Sequence, residues 1–247
     1  MSFKHGAPIL AVFLLASSAS AQDLPNCSAQ GLPSHGDLTA ALQSVLGANG
    51  GFNLPMWASI VSRRGEVCTV TRSGGRGEQW PGSRVISAQK ANTANAFSLP
   101  GLALSTANLY TAVQPGGSLY GLQHSNPVDP AVAYAGNANT YGGPSDPLVG
   151  NKIGGVNVFG GGLALYNGNG TLVGAIGVSG DTSCADHVIA WKVRDALGLD
   201  HVPGGVSGDS ARPDNIIYDI DSSMPGGFGH PHCLPSDVDP ATLPTAP

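Results

Sequence analysis

Several residues in this sequence are of types that do chemistry. His230-Pro231-His232-Cys233 places two imidazoles and a thiol in four positions, and imidazole is a ligand for zinc, copper and iron. His187 follows Asp186 at the start of a segment of helical period. That pair could hold a metal or move protons, though residues 183–186 also read as a capping box in which Asp186 stabilises the first helical turn. Lys90 sits mid-segment, with Arg84 six residues before it. A lysine in a partly buried pocket holds a carboxylate or acts as a base of lowered pKa; on an open helix face it is merely solvated. Arg84 is a second anion partner. Tyr120, His124, Tyr134 and Tyr141 fall in one long irregular stretch and could cover or ligate a flat ligand.

The elements that must position these groups centre on residues 154–180. Residues 163–166 are a short apolar run, and Asn167-Gly168-Asn169-Gly170 supplies the residues a tight hairpin turn requires. Residues 171–179 follow as the second strand. Leu172, Ile176 and Val178 are expected on one face, and Val173 and Ala175 on the other. Gly174 and Gly177 leave room for a close approach. From residue 183, Ala185, Val188, Ile189, Val193, Ala196 and Leu197 form an apolar stripe of helical period, which Gly198 ends.

Upstream, Asp37 is expected to cap a helix over 38–46. Residues 57–62 and 67–71 flank Arg63-Arg64-Gly65-Glu66 as a hairpin. Residues 83–97 read as a helix whose small side chains let it sit close to a sheet. A short helix is expected within 99–109. Residues 110–152 lack periodicity, and a loop that long is usually functional or disordered; its apolar and aromatic residues argue for order. Residues 215–220 could form a strand in an otherwise irregular C-terminal segment, 200–247.

The composition sets limits. The chain has 247 residues, 41% hydrophobic and 11% charged. Gly 36 and Pro 19 together make about 22% of it, high but short of the disordered range. Residues 1–21 look like a secretory signal: a basic start, an apolar run over 9–16, and Ala19-Ser20-Ala21 before the cut. The run is too short to span a bilayer, which points to a secreted or periplasmic protein with a leader over 22–36. Basic residues are few and unclustered, so nucleic acid is not an expected partner. In an oxidising compartment four cysteines allow three pairings. Cys27–Cys68 and Cys184–Cys233 are expected, since each would tie a terminal extension to the core. The second would also bring His230 and His232 within reach of His187 as a three-imidazole metal site; the alternative is a stapled tail with exposed histidines.

Lys90-Ala91-Asn92-Thr93-Ala94 within 83–97 resembles the K-A-x-T-A helix of the GlcG/HbpS family of haem-binding and haem-degrading proteins. Gly161-Gly162 before a strand, then Val173-Gly174-Ala175-Ile176-Gly177-Val178-Ser179-Gly180, then Asp186, resemble the family's second signature. The resemblance covers roughly 37–199. It implies a profilin-like α+β fold, a central antiparallel sheet with packed helices, and a homo-oligomer. It also implies haem or iron as ligand, with Lys90 or Arg84 on a propionate and a His or Tyr on the iron. The chain departs from the family at Ser62-Arg63-Arg64-Gly65, in the 110–152 insert and in the C-terminal extension.

No G-x-S-x-G, H-E-x-x-H or P-loop is present, and Gly160–Gly162 precedes a strand rather than a helix, unlike a dinucleotide fingerprint. Three functions follow: an exported haem or tetrapyrrole binder, an enzyme using a pocket near Lys90 and His187, or a structural oligomeric accessory protein.

Overall fold

The computed structural model describes residues 27–220 and 227–247. The expected signal, 1–21, and the first five residues of the expected leader lie outside the described residues. The principal elements are α1 (His35–Ser44), β1 (Trp57–Ser62), β2 (Val67–Arg72), α2 (Ser83–Phe97), the single-turn helices α3 (Leu122–Ser125) and α4 (Pro130–Ala133), β3 (Gly162–Tyr166), β4 (Leu172–Ser179) and α5 (Ser183–Ala196). The strands form one antiparallel sheet in the order β2-β1-β4-β3. The fold is α+β.

α1 starts earlier than expected because Ser34, not Asp37, is its cap. The Ser34 hydroxyl accepts the Asp37 N–H, while the Asp37 carboxylate reaches back to the Ser34 N–H at 3.0 Å. This is the reciprocal capping box. Thr182 caps α5, accepting the Ala185 N–H at 3.2 Å. Asp186 is therefore free of the capping role and engages elsewhere. Residues 215–220 form no strand.

β1 and β4 are buried along their whole length. On one face α2 lays Ala88, Ala91 and Ala94 against Val61, Val67, Val70 and Ala175. On the other, Leu38 and Leu42 of α1 and Val188, Ile189 and Val193 of α5 cover Ala58, Ile60, Ile176 and Val178. The α2 face is unusually close. A Cβ at Gly177 would lie 1.9 Å from Ser87 O and 2.5 Å from Ala91 N, and one at Gly162 would lie 2.5 Å from Lys90 O. Only glycine permits that approach, so helix backbone rests on strand backbone.

One expected strand phase is corrected. The β3–β4 register shifts between Leu165 and Tyr166, which pair with Gly174 and Leu172. Val173 is the extra residue of this bulge. A bulge reverses the alternation beyond it, so Val173 joins Ile176 and Val178, and Leu172 packs with Ala164 and Tyr166 instead.

The long loop is ordered by its own core. Leu109, Val113, Val156 and Val158 pack with Leu119 and Leu122. Disulfides Cys27–Cys68 and Cys184–Cys233 join the two chain ends to the sheet and to α5. Among the described residues no helix is long and apolar enough to cross a membrane.

Candidate functional site

Two places gather the residues of chemical interest. The first is a buried cluster between α2, β4 and the start of α5. Because α2 lies so close to the sheet, Lys90 has no exposure and must find partners inside. Its ammonium donates to Asp186 Oδ2 at 2.6 Å and to Val178 O at 3.0 Å. Asp186 Oδ1 accepts the Asp181 N–H at 2.8 Å. Burial pushes the Asp186 carboxyl up to about 6 against the pull of Lys90, and burial likewise lowers the Lys90 ammonium.

His187, one residue on, is also fully buried. Its Nε2 lies 3.2 Å from Asn215 Oδ1 and 3.2 Å from the Ile216 nitrogen. Burial brings its pKa down to about 3, so the ring is a neutral imidazole. Beside it, Arg194 makes a two-pronged ion pair with Asp214, at 2.7 and 2.8 Å. Asp214, Asn215 and Ile216 belong to the C-terminal extension, which thus packs over His187 and Arg194. His230, further along it, sits with Nε2 2.8 Å from Ser183 Oγ and its ring 4.9 Å from that of Tyr110.

Lys90 is therefore no open anion site, and neither Lys90 nor His187 has any exposed surface. Nor do the three imidazoles converge. His187 is held by Asn215, His230 by Ser183 and by Pro231 O at 2.7 Å, while His232 is largely exposed and stacked on Tyr218. Among the described residues, the group of three ligand-type side chains with donor atoms within 4.8 Å is Cys184, His230 and Cys233. Both of its sulfurs are committed to the disulfide, and a disulfide sulfur is not the thiolate a metal needs. The expected three-histidine arrangement is absent because the bridge turns His230 toward Ser183 and His232 outward.

The second place is an open pocket of about 510 Å³ beside the N-terminal end of α2. Trp57, Arg72, Arg76, Arg84, Tyr134 and Tyr141 line it. Arg84 is not available to an incoming anion. It is buried, pairs with both oxygens of Asp146, and donates to Ala133 O at 2.9 Å. The Tyr141 ring lies 3.5 Å from its guanidinium carbon, and the Tyr141 hydroxyl donates to Ala135 O at 3.0 Å. Arg84 thus anchors the long loop to α2. Arg72 and Arg76 are accessible and, among the described residues, bond to neutral groups, Arg72 to Gly74 O at 3.1 Å and Arg76 to Asn139 O at 2.8 Å. Tyr134 is 66% exposed at the rim. Tyr120 and His124 are exposed and lie outside the pocket lining.

Sequence reasoning missed Trp57, Arg72 and Arg76. Trp57 was read only as a strand residue. Arg72 ends β2 and Arg76 lies in the Gly-rich loop that follows, and nothing in their spacing singles them out.

A four-stranded antiparallel sheet with α2 on one face, beside an aromatic, guanidinium-lined pocket, places the chain in the α+β class. A family model described as haem degrading protein HbpS-like matches residues 37–194, and the chain belongs to that family. Solved structures similar to the chain include the Klebsiella pneumoniae protein ORFY, 27% identical over 75% of this chain and 97% of that one, with a TM-score of 0.45. A PduOC–haem complex is 24% identical over 72% of this chain and 93% of the other, with a TM-score of 0.43. A double mutant of Streptomyces reticuli HbpS is 18% identical over 79% and 99%, with a TM-score of 0.44. No curated protein matches the chain.

Proposed function

We propose that the chain is an exported binding protein for haem or a related tetrapyrrole, with Trp57, Tyr134 and Tyr141 beside the macrocycle and Arg72 and Arg76 on its carboxylates. The observation that carries this reading is the open pocket: a volume of about 510 Å³, within the range of small-molecule sites, with aromatic walls and two arginines not committed to carboxylates. Membership of a haem-degrading family supports the ligand class. Tyrosine serves as an axial ligand to haem iron, and Tyr134 is the exposed phenol of the pocket. Bound there, haem would supply a redox-active iron. Two disulfides support export to an oxidising compartment. A homo-oligomer belongs to the same reading, checked by light scattering of the purified chain.

The test is titration of haemin into the purified, oxidised protein. A shifted Soret band is expected, with binding weakened in Arg76→Ala and the band altered in Tyr134→Phe. No shift with a folded protein, or identical titrations for wild type and both variants, refutes the proposal.

A further inference from the structure

The turn between β3 and β4 carries a feature that ligand binding does not use. Asn169-Gly170-Thr171 has the N-x-[ST] pattern of an N-glycosylation acceptor, with glycine rather than proline in the middle. The pattern recurs at Asn26-Cys27-Ser28, where Cys27 is tied to Cys68 and Asn26 lies outside the described residues. The turn stands at the tip of the hairpin, and Gly168, Asn169 and Thr171 are exposed. None of its residues lines the pocket that holds Trp57, Arg72 and Arg76.

The turn holds its two asparagines differently. Asn167 is spent on the turn itself: its Oδ1 accepts the Asn169 N–H at 3.0 Å and the Thr171 N–H at 3.1 Å. Its backbone N–H donates to Thr171 O at 3.0 Å, and its carbonyl accepts the Gly170 N–H at 2.8 Å. Asn169 takes part through its backbone alone. Among the described residues its side-chain amide and the Thr171 hydroxyl make no hydrogen bond. A sugar joined to the Asn169 amide therefore breaks no bond of the turn. Gly170 has φ of +69°, a left-handed conformation that favours glycine. The residue the turn requires there is also one that puts no bulk between Asn169 and Thr171.

We propose that Asn169 is the acceptor of an N-linked glycan. This rests on export of the chain, because the modification belongs to secreted proteins. In the transfer, the Asn169 amide nitrogen attacks the anomeric carbon of an oligosaccharide carried on a polyisoprenyl diphosphate. The carbon–nitrogen bond forms and the bond from that carbon to the diphosphate oxygen breaks. The lipid diphosphate leaves, and the amide proton passes to a base on the transferase. The Thr171 hydroxyl is the second element of the acceptor pattern. In the folded chain both side chains stand at the hairpin tip, so the glycan projects into solvent. β3 is an edge strand of the sheet, and a bulky, hydrated glycan at its end guards that edge against pairing with another sheet.

The experiment uses the full chain made by its own source cells, with its disulfides intact. It is digested before and after treatment with peptide N-glycosidase F in heavy-oxygen water, and the peptides are sequenced by mass spectrometry. Residue 169 is expected as heavy-labelled aspartate after the enzyme. Expressed in the same cells, Asn169→Gln and Thr171→Val should each lose one glycan's worth of mass, and Thr171→Ser should keep it. All three variants retain the backbone bonds of the turn. An exported chain with Asn169 unmodified, with a glycan on Asn26 alone, or with a glycan that survives Thr171→Val overturns this proposal and leaves export and the haem reading standing. A chain kept inside the cells with residues 1–21 still attached overturns export and this proposal together.

Discussion

Replacing Lys90 by methionine tests whether the buried ion pair organises the core. Methionine keeps most of the side-chain volume and removes the charge. Asp186 then loses its 2.6 Å partner and keeps the Asp181 N–H at 2.8 Å, in a site where its side chain is 3% exposed. Removing one partner of a buried pair costs about 3–5 kcal/mol, chiefly through the uncompensated charge left behind. That is a large part of a typical domain's stability of roughly 5–15 kcal/mol. The cost should depend on pH, with a definite sign. Asp186 is already raised in the folded state, to about 6. A carboxyl raised on folding contributes stability that is present below its unfolded value of about 3.9 and is lost as pH rises through the folded value. Loss of Lys90 raises Asp186 further, so the variant's deficit should be small near pH 4.5 and grow toward pH 7.5, by at most about 1.4 kcal/mol per unit. In Lys90→Met/Asp186→Leu no charge is stranded, and the double variant should recover about 2–3 kcal/mol relative to the sum of the single changes. The assay is urea unfolding of the oxidised protein followed by tryptophan fluorescence at both pH values. A deficit below about 1 kcal/mol at the higher pH, the size of an ordinary substitution, refutes the reasoning. So does a deficit independent of pH, or strict additivity in the double variant.

Two further perturbations probe the frame around this buried cluster. Cys233→Ser opens the bridge to Cys184 across a sequence separation of 49, which in the chain-entropy model removes about 4 kcal/mol of stabilisation; limited proteolysis should then cut within 200–233 while 37–199 resists, and an uncut extension contradicts this. Gly177→Ala drives a methyl into Ser87 O, 1.9 Å from the ideal Cβ position, and should cost about 3 kcal/mol by overpacking. A melting temperature within a degree or two of wild type would show that α2 can lift from the sheet at little cost, since about 1 kcal/mol shifts Tm by about 2–4 °C in a domain of this size.

The local structure was legible in the sequence because its causes are local. The hairpin–helix–hairpin–helix order follows from apolar periodicity and turn residues within a few positions of one another. The alanines of α2 announced a close-packed helix, and Gly177 announced the strand that receives it. Even there, one choice escaped: the bulge at Val173 depends on how β3 pairs with β4, and alternation within a single strand does not reveal it.

What tertiary structure alone decided is which charges meet. Lys90 and Asp186 are 96 residues apart, and Arg84 and Asp146 are 62 apart. Each cation looked available for a ligand in the sequence, and each is consumed inside the fold. The cause is packing. The backbone contact at Gly177 and Gly162 leaves Lys90 with no exposed surface, so the ammonium needs an internal partner, and α5 delivers Asp186 from its first turn. In the same way the C-terminal extension, whose sequence shows no periodicity, places Asn215 on His187 and stacks Tyr218 on His232. The residue types could be read from the sequence, but their partners follow from which elements the sheet brings together.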